Sequence, residues 1–166
     1  MTWGIPTPLF LQLHVILSLV GIASGLVVLY GLLTGKPLRG VTALFLVTTI
    51  LTCVTGFPLE PFGFDPPRAV GVISLVLLAA AVAALYIFHL AGAWRWVYVV
   101  GAVAALYLNV FVAVVQSFQK VPFVRSLAPT QSEPPFLVAQ LAVLIAFVAL
   151  GIFAVRRFHP EMKTRT

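Results

Sequence analysis

Residues Pro8 to Leu33 read PLFLQLHVILSLVGIASGLVVLYGLL, an apolar run without a charged residue, closed by the breaker sequence Thr34-Gly35-Lys36-Pro37. A bilayer core about 30 Å thick is crossed by about 20 mostly apolar residues in helical form. This run is long enough to cross. The leading MTWGIPTPLF has no basic segment, and the apolar stretch behind it is longer than a signal-peptide core. It is therefore expected to stay as a first span rather than be cleaved.

Working outward from it, four more stretches qualify, at about 40–57, 68–90, 94–119 and 135–156, of which the second is short. Each boundary carries Pro, Gly or charge, as helix ends do. The expectation is an all-α integral membrane helical bundle with about five transmembrane helices, forming one transmembrane domain over residues 1–166. A four-span bundle with a re-entrant second segment is the alternative. Composition points the same way: 61% of the 166 residues are hydrophobic and 8% charged, against about 25% charged in a soluble domain. Too little charge is present to cover a water-facing surface.

The formal net charge is +6, but the ten basic residues are spread over loops and tail. They read as determinants of membrane orientation rather than as a nucleic-acid surface. With five spans, Lys36, Arg39, Arg95, Arg156, Arg157, Lys163 and Arg165 fall on one side, and Arg68, Lys120 and Arg125 on the other. The richer side is expected to be cytoplasmic, with the C-terminus there and the N-terminus outside. Glu60, Asp65 and Glu133 fall on the outer side, and Trp94, Trp96 and Tyr98 gather at the inner boundary. The single Cys53 allows no intrachain disulfide and no cysteine metal cluster. Two outer segments, Pro58–Pro67 and Lys120–Pro135, are rich in Pro and aromatics and are expected to form ordered caps.

Polar side chains inside a membrane are costly and need a partner or a purpose. His14, Ser18, Gly21 and Gly25 recur at spacings of four, three and four, on one helical face. Gly21 and Gly25 form a GxxxG, which lets another helix approach closely. Ala102, Ala105, Asn109, Ala113, Gln116 and Lys120 share a face of the fourth helix. Thr48, Thr52 and Thr55 share one on the second, and Gln140 enters the fifth span at a similar outer depth. Each has a plain reading as packing: threonines bond back to their own helix, and amides can pair across helices. Together, His14, Ser18, Thr52, Thr55, Asn109, Gln116, Lys120 and Gln140 describe a polar pocket opening outward, and Gly21 and Gly25 a packing seam.

Haem on paired histidines is disfavoured within one chain. His14 lies about 9 Å inside the outer end of its helix, whereas His89 is almost at the inner end of the third span and His159 is in the tail. A single-histidine or intermolecular haem remains as an alternative. The spans hold no Asp or Glu, and HExxH, P-loop and GxSxG patterns are absent. No metal site, cofactor or catalytic residue is specified, and an enzyme is not the favoured reading.

The run ALYLNVFVAVVQSFQKVPFVRSLAPTQSEPPFLVAQ (Ala105–Gln140), with TGFPLEPFG (Thr55–Gly63), VGVISL (Val70–Leu75) and WRWVYVV (Trp94–Val100), resembles a family of small uncharacterised polytopic membrane proteins of bacteria. The resemblance covers most of the chain. It implies a multi-pass protein of the bacterial cytoplasmic (inner) membrane and carries no activity, cofactor or site residue.

Three functions are open at this point. One is an outward pocket binding a small apolar or anionic molecule, or a lipid- or quinone-like ligand, with Lys120 or Arg125 attracting an anionic or quinone-like headgroup, without evident catalysis. Another is a structural or accessory subunit of a larger membrane complex or homo-oligomer. The last is a haem- or quinone-linked redox protein. Membrane lipids are the expected surroundings in all three, and nucleic acid is a partner in none.

Overall fold

The computed structural model of the protein describes residues 1–59 and 66–160. Glu60, Phe62, Phe64 and Asp65 of the first outer segment, and Lys163 and Arg165 of the tail, lie outside the described residues.

Among the described residues six α-helices follow one another: α1 (Thr7–Leu33), α2 (Arg39–Gly56), α3 (Pro66–Val82), α4 (Trp94–Lys120), α5 (Pro122–Leu127) and α6 (Pro134–Arg157). All but α5 belong to stretches long and apolar enough to cross a membrane, α3 together with the turn that extends it to Ile87. Punctuation residues set their ends. Prolines occupy the first turns of α1, α5 and α6, where a missing N–H costs nothing. At the other end of α1, Gly35 takes φ +71°, and the Lys36 N–H reaches back to the Gly31 carbonyl at 2.8 Å. That left-handed step stops the helix and turns the chain into α2.

After Val82 the third span winds more widely over Ala83–Ile87. The Phe88 N–H bonds the Ala83 carbonyl, five residues back, at 2.9 Å. His89 and Leu90 then take positive φ of 48° and 60°. Such a wide turn is rare; here it ends the span and lets Phe88 stack on Trp94 with ring centroids 3.7 Å apart.

α4 is the axial helix. It packs on α1, α3 and α6, while α1 and α2 form a tight antiparallel hairpin and α2 also meets α3. The two ends of the bundle differ. One, called here the Arg95 end, holds most of the apolar core: Val28, Leu32, Phe45, Leu78, Val99 and Leu106 are buried together. Towards the other, the His14 end, burial thins. On α4 nothing between Leu106 and Phe118 is fully buried, and on α1 Phe10 is the sole buried residue before Gly21. Apolar side chains remain uncovered around the perimeter, among them Leu19, Val76, Val138 and Ile145.

Candidate functional site

Three helices meet along one seam, and close approach dictates what can occupy it. A Cβ on Gly25 would lie 2.5 Å from Leu106 Cδ1 and 2.9 Å from the Phe45 ring, so any larger residue must displace them. One turn towards the His14 end the seam becomes polar. A Cβ on Gly21 would lie 3.2 Å from Thr49 Oγ1 and 3.5 Å from both Asn109 Nδ2 and Thr48 Oγ1. The glycine leaves room for Asn109 Nδ2 to donate to Thr49 Oγ1 across 3.3 Å, joining α4 to α2 beside α1.

Helix register carries the seam towards the His14 end. Seven residues are almost two full turns, so His14 on α1, Gly56 on α2 and Gln116 on α4 repeat the Gly21–Thr49–Asn109 layer about 10 Å nearer that end. Between α1 and α2 the contacts agree: a Cβ on Gly56 would lie 3.5 Å from His14 Cε1, and His14 Nδ1 is 2.8 Å from Thr55 Oγ1; Gln116 joins the layer by register. Lys120 follows one turn beyond Gln116 on the same face of α4.

The hydrogen bonds fix the histidine tautomer. Thr55 Oγ1 is 2.7 Å from the Leu51 carbonyl, which can only accept, so the single hydroxyl proton points there. Towards His14 the threonine must accept, and Nδ1 carries the hydrogen. Nε2 is left with its lone pair and no hydrogen bond from any described residue. Level with it, Gln116 Oε1 is buried with no donor. Leaving a buried acceptor unpaired costs about 1–3 kcal/mol.

Other expected members behave differently. Ser18 donates to the Val15 carbonyl at 2.8 Å and Thr52 to the Thr48 carbonyl at 2.8 Å, both spending their hydrogens on their own helices. Gln140 does not join His14. Its Nε2 donates to the Phe111 carbonyl at 3.3 Å, on the flank of α4 where Tyr107 meets Phe147 and Phe118 meets Phe136 of α6. Residues 109 and 111 point about 200° apart on a helix, so Gln140 lies across α4 from the His14 seam. Its Oε1 is likewise buried and unpaired. The expected convergence of four helices is a convergence of three.

Thr49, fully buried, is a seam residue absent from the Thr48, Thr52, Thr55 set. The spacing Phe45, Thr49, Thr52, Gly56 marks its face in the sequence, but nothing local says that the Asn109 amide meets it.

The histidines stand at opposite ends of the bundle: His14 belongs to the second turn of α1, and His89 follows the far end of the third span. About 30 Å of helix separates those ends, too far for two ligands of one iron.

Outside the spans, the Lys120–Pro135 segment is ordered as expected, through α5 and a turn held by Glu133. Its carboxylate accepts from the Thr130 N–H at 3.1 Å, the Thr130 hydroxyl at 2.9 Å and the Ser132 N–H at 3.1 Å. Desolvation works to raise the Glu133 pKa, and these hydrogen bonds outweigh it, holding the carboxyl below its ordinary value. Compared with protein-family models, with curated proteins and with solved structures, the chain matches none.

Proposed function

We propose that the chain is a multi-pass protein of the bacterial cytoplasmic membrane whose outward-facing His14 end binds a small amphiphile through a hydrogen-bond-donating headgroup, by recognition rather than catalysis. The observation that carries this reading is the unpaired, buried Gln116 Oε1, level with a histidine whose Nε2 lone pair is also unused. Two acceptors without donors call for a ligand that brings them, such as the hydroxyl groups of a quinol-like ring. The looser packing of α4 beyond Leu106 supports a site at that end, and the uncovered apolar perimeter supports a route for an apolar tail.

The test uses the detergent-extracted protein, with native mass spectrometry to detect a bound small molecule and thermal denaturation to read stability. Gln116→Leu removes the unpaired acceptor. It is expected to raise the ligand-free midpoint by several degrees, equivalent to about 1–3 kcal/mol, while the ligand mass is lost. His14→Ala is expected to lose the ligand without the gain in stability. A lower midpoint for Gln116→Leu, with the ligand retained, would overturn the reading. Loss of a partner chain alone would favour the accessory-subunit function. An absorption spectrum with a Soret band would make the His14 Nε2 an iron ligand and haem the occupant.

A further inference from the structure

We infer that the groove between the end of α4 and α5 seats the phosphate of an anionic membrane phospholipid, held between Lys120 and Arg125. The groove is an open surface depression of about 360 Å³, lined by Lys120, Pro122, Arg125, Ser126 and Pro129. Its two cations have no hydrogen bond or ion pair among the described residues. The one carboxylate among the described residues, Glu133, has its oxygens occupied by Thr130 and Ser132 instead. Ser126 donates to the Phe123 carbonyl at 2.7 Å, so the anion would be held by the ammonium and the guanidinium. A guanidinium fork and a point charge suit phosphate oxygens.

Position selects a lipid over a soluble anion. α4 has 27 residues, about 40 Å of helix against a hydrocarbon core of about 30 Å. Its last turn therefore emerges among the headgroups, and α5 begins two residues after Lys120. There Phe123 is 76% exposed, with Val121 and Leu127 also uncovered. Cations flanked by exposed apolar side chains at that depth are the pattern of an interfacial anchor: rings and aliphatic chains enter the acyl boundary while charges stay with the phosphates. Pro122 and Pro129 bracket the groove and restrict its backbone, so the two cations are presented on a stiff frame.

The experiment titrates the purified full-length chain, in neutral detergent at 0.05 M salt, with short-chain phosphatidylglycerol, with phosphatidylcholine of the same chains, and with inorganic phosphate. Bound lipid is read by native mass spectrometry. Phosphatidylglycerol is expected to bind tightly and the other two weakly. At about 1 kcal/mol per basic residue near a lipid surface, Lys120→Gln with Arg125→Gln should weaken phosphatidylglycerol binding on the order of 30-fold. Lys36→Gln with Arg39→Gln, which removes the same charge at the Arg95 end, should keep it.

Equal binding of the two lipids would overturn the inference, as would a double variant that binds like the wild type. Inorganic phosphate binding as tightly as the lipid would make the occupant a soluble anion and overturn it too. Should the double variant fail to fold, wild-type protein decides: affinity for phosphatidylglycerol must drop steeply between 0.05 and 0.5 M salt, and a flat response sinks the lipid site. Because Lys120 follows Gln116 on α4, Gln116→Leu separates the two sites: it should leave phosphatidylglycerol binding unchanged even where the ligand at His14 is lost.

Discussion

A methyl group on Gly25 would have to displace Leu106 and the Phe45 ring, both buried in the densest part of the bundle. Leu106 Cδ1 is a side-chain end, but with Leu106 and Phe45 both buried neither has free space to move into, so overpacking there should cost about 1–3 kcal/mol. Gly40, in the first turn of α2, has open space where its Cβ would be. There the same substitution relieves backbone entropy and should gain up to about 1 kcal/mol. The pair Gly25→Ala and Gly40→Ala therefore changes one atom in each case with opposite sign. Thermal denaturation in one detergent reads both, and a neutral Gly25→Ala would show that α1, α2 and α4 are not in close contact. At Gly21 the limit is a hydroxyl and an amide rather than hydrocarbon, and there the same small residue serves polarity. Hydrogen bonds such as Asn109–Thr49 average about 0.6 kcal/mol in membrane bundles, so the layer sets which helices meet more than how strongly they hold.

Among the five long apolar helices, α6 is the least enclosed by its neighbours, and its C-terminal end is held from a distance. Arg95 donates from one guanidinium nitrogen to the Val155 carbonyl at 2.8 Å and the Phe158 carbonyl at 2.7 Å. Those carbonyls lack partners within the helix and carry its negative end. Hydrogen bonds from a charged donor contribute about 1.5–3 kcal/mol, so Arg95→Gln should speed amide exchange at Arg157 and Phe158 by at least tenfold. Arg95→Lys should recover part of the protection, because the charge stays but the planar fork is lost. Unchanged exchange in Arg95→Gln would mean the packing of Phe158 on Tyr98 holds that end alone. In the sequence Arg95 reads as one more loop charge, since its partners lie 60 and 63 residues away. Local signals fared better. Proline, glycine and charge mark the ends of α1, α2, α4 and α6 to within about one residue. The wide turn at Ala83–Ile87 has no such marker, because an Ala-rich run is equally at home in either winding. The same division governs the site: the polar faces of α1, α2 and α4 follow from helical spacing, whereas the exclusion of Gln140 depends on which side of α4 receives α6, a matter of packing between distant segments.

At the scale of the whole chain, the two ends differ in both packing and charge, and the charge difference predicts an orientation that can be measured. The helices place Lys36, Arg39, Arg95, Arg156 and Arg157 at the Arg95 end, and Arg68, Lys120 and Arg125 at the His14 end. Basic residues close to the spans are retained on the cytoplasmic side, so the fully packed apolar half should face the cytoplasm and the looser polar half the outside. Reporter cysteines can read this directly once the native one is removed. Cys53 is buried, and Cys53→Ala provides the background. On it, Ser132→Cys marks the turn before α6 and His159→Cys the chain just beyond it, both at exposed positions. A membrane-impermeant maleimide added to intact cells should label Ser132→Cys and leave His159→Cys untouched until the cells are opened. The reverse pattern would invert the molecule, turning the His14 seam and the Lys120–Arg125 groove towards the cytoplasm and placing any ligand they take in the inner leaflet. Labelling of both sites in intact cells would mean that the charge difference is too small to hold one orientation, and that the chain inserts both ways.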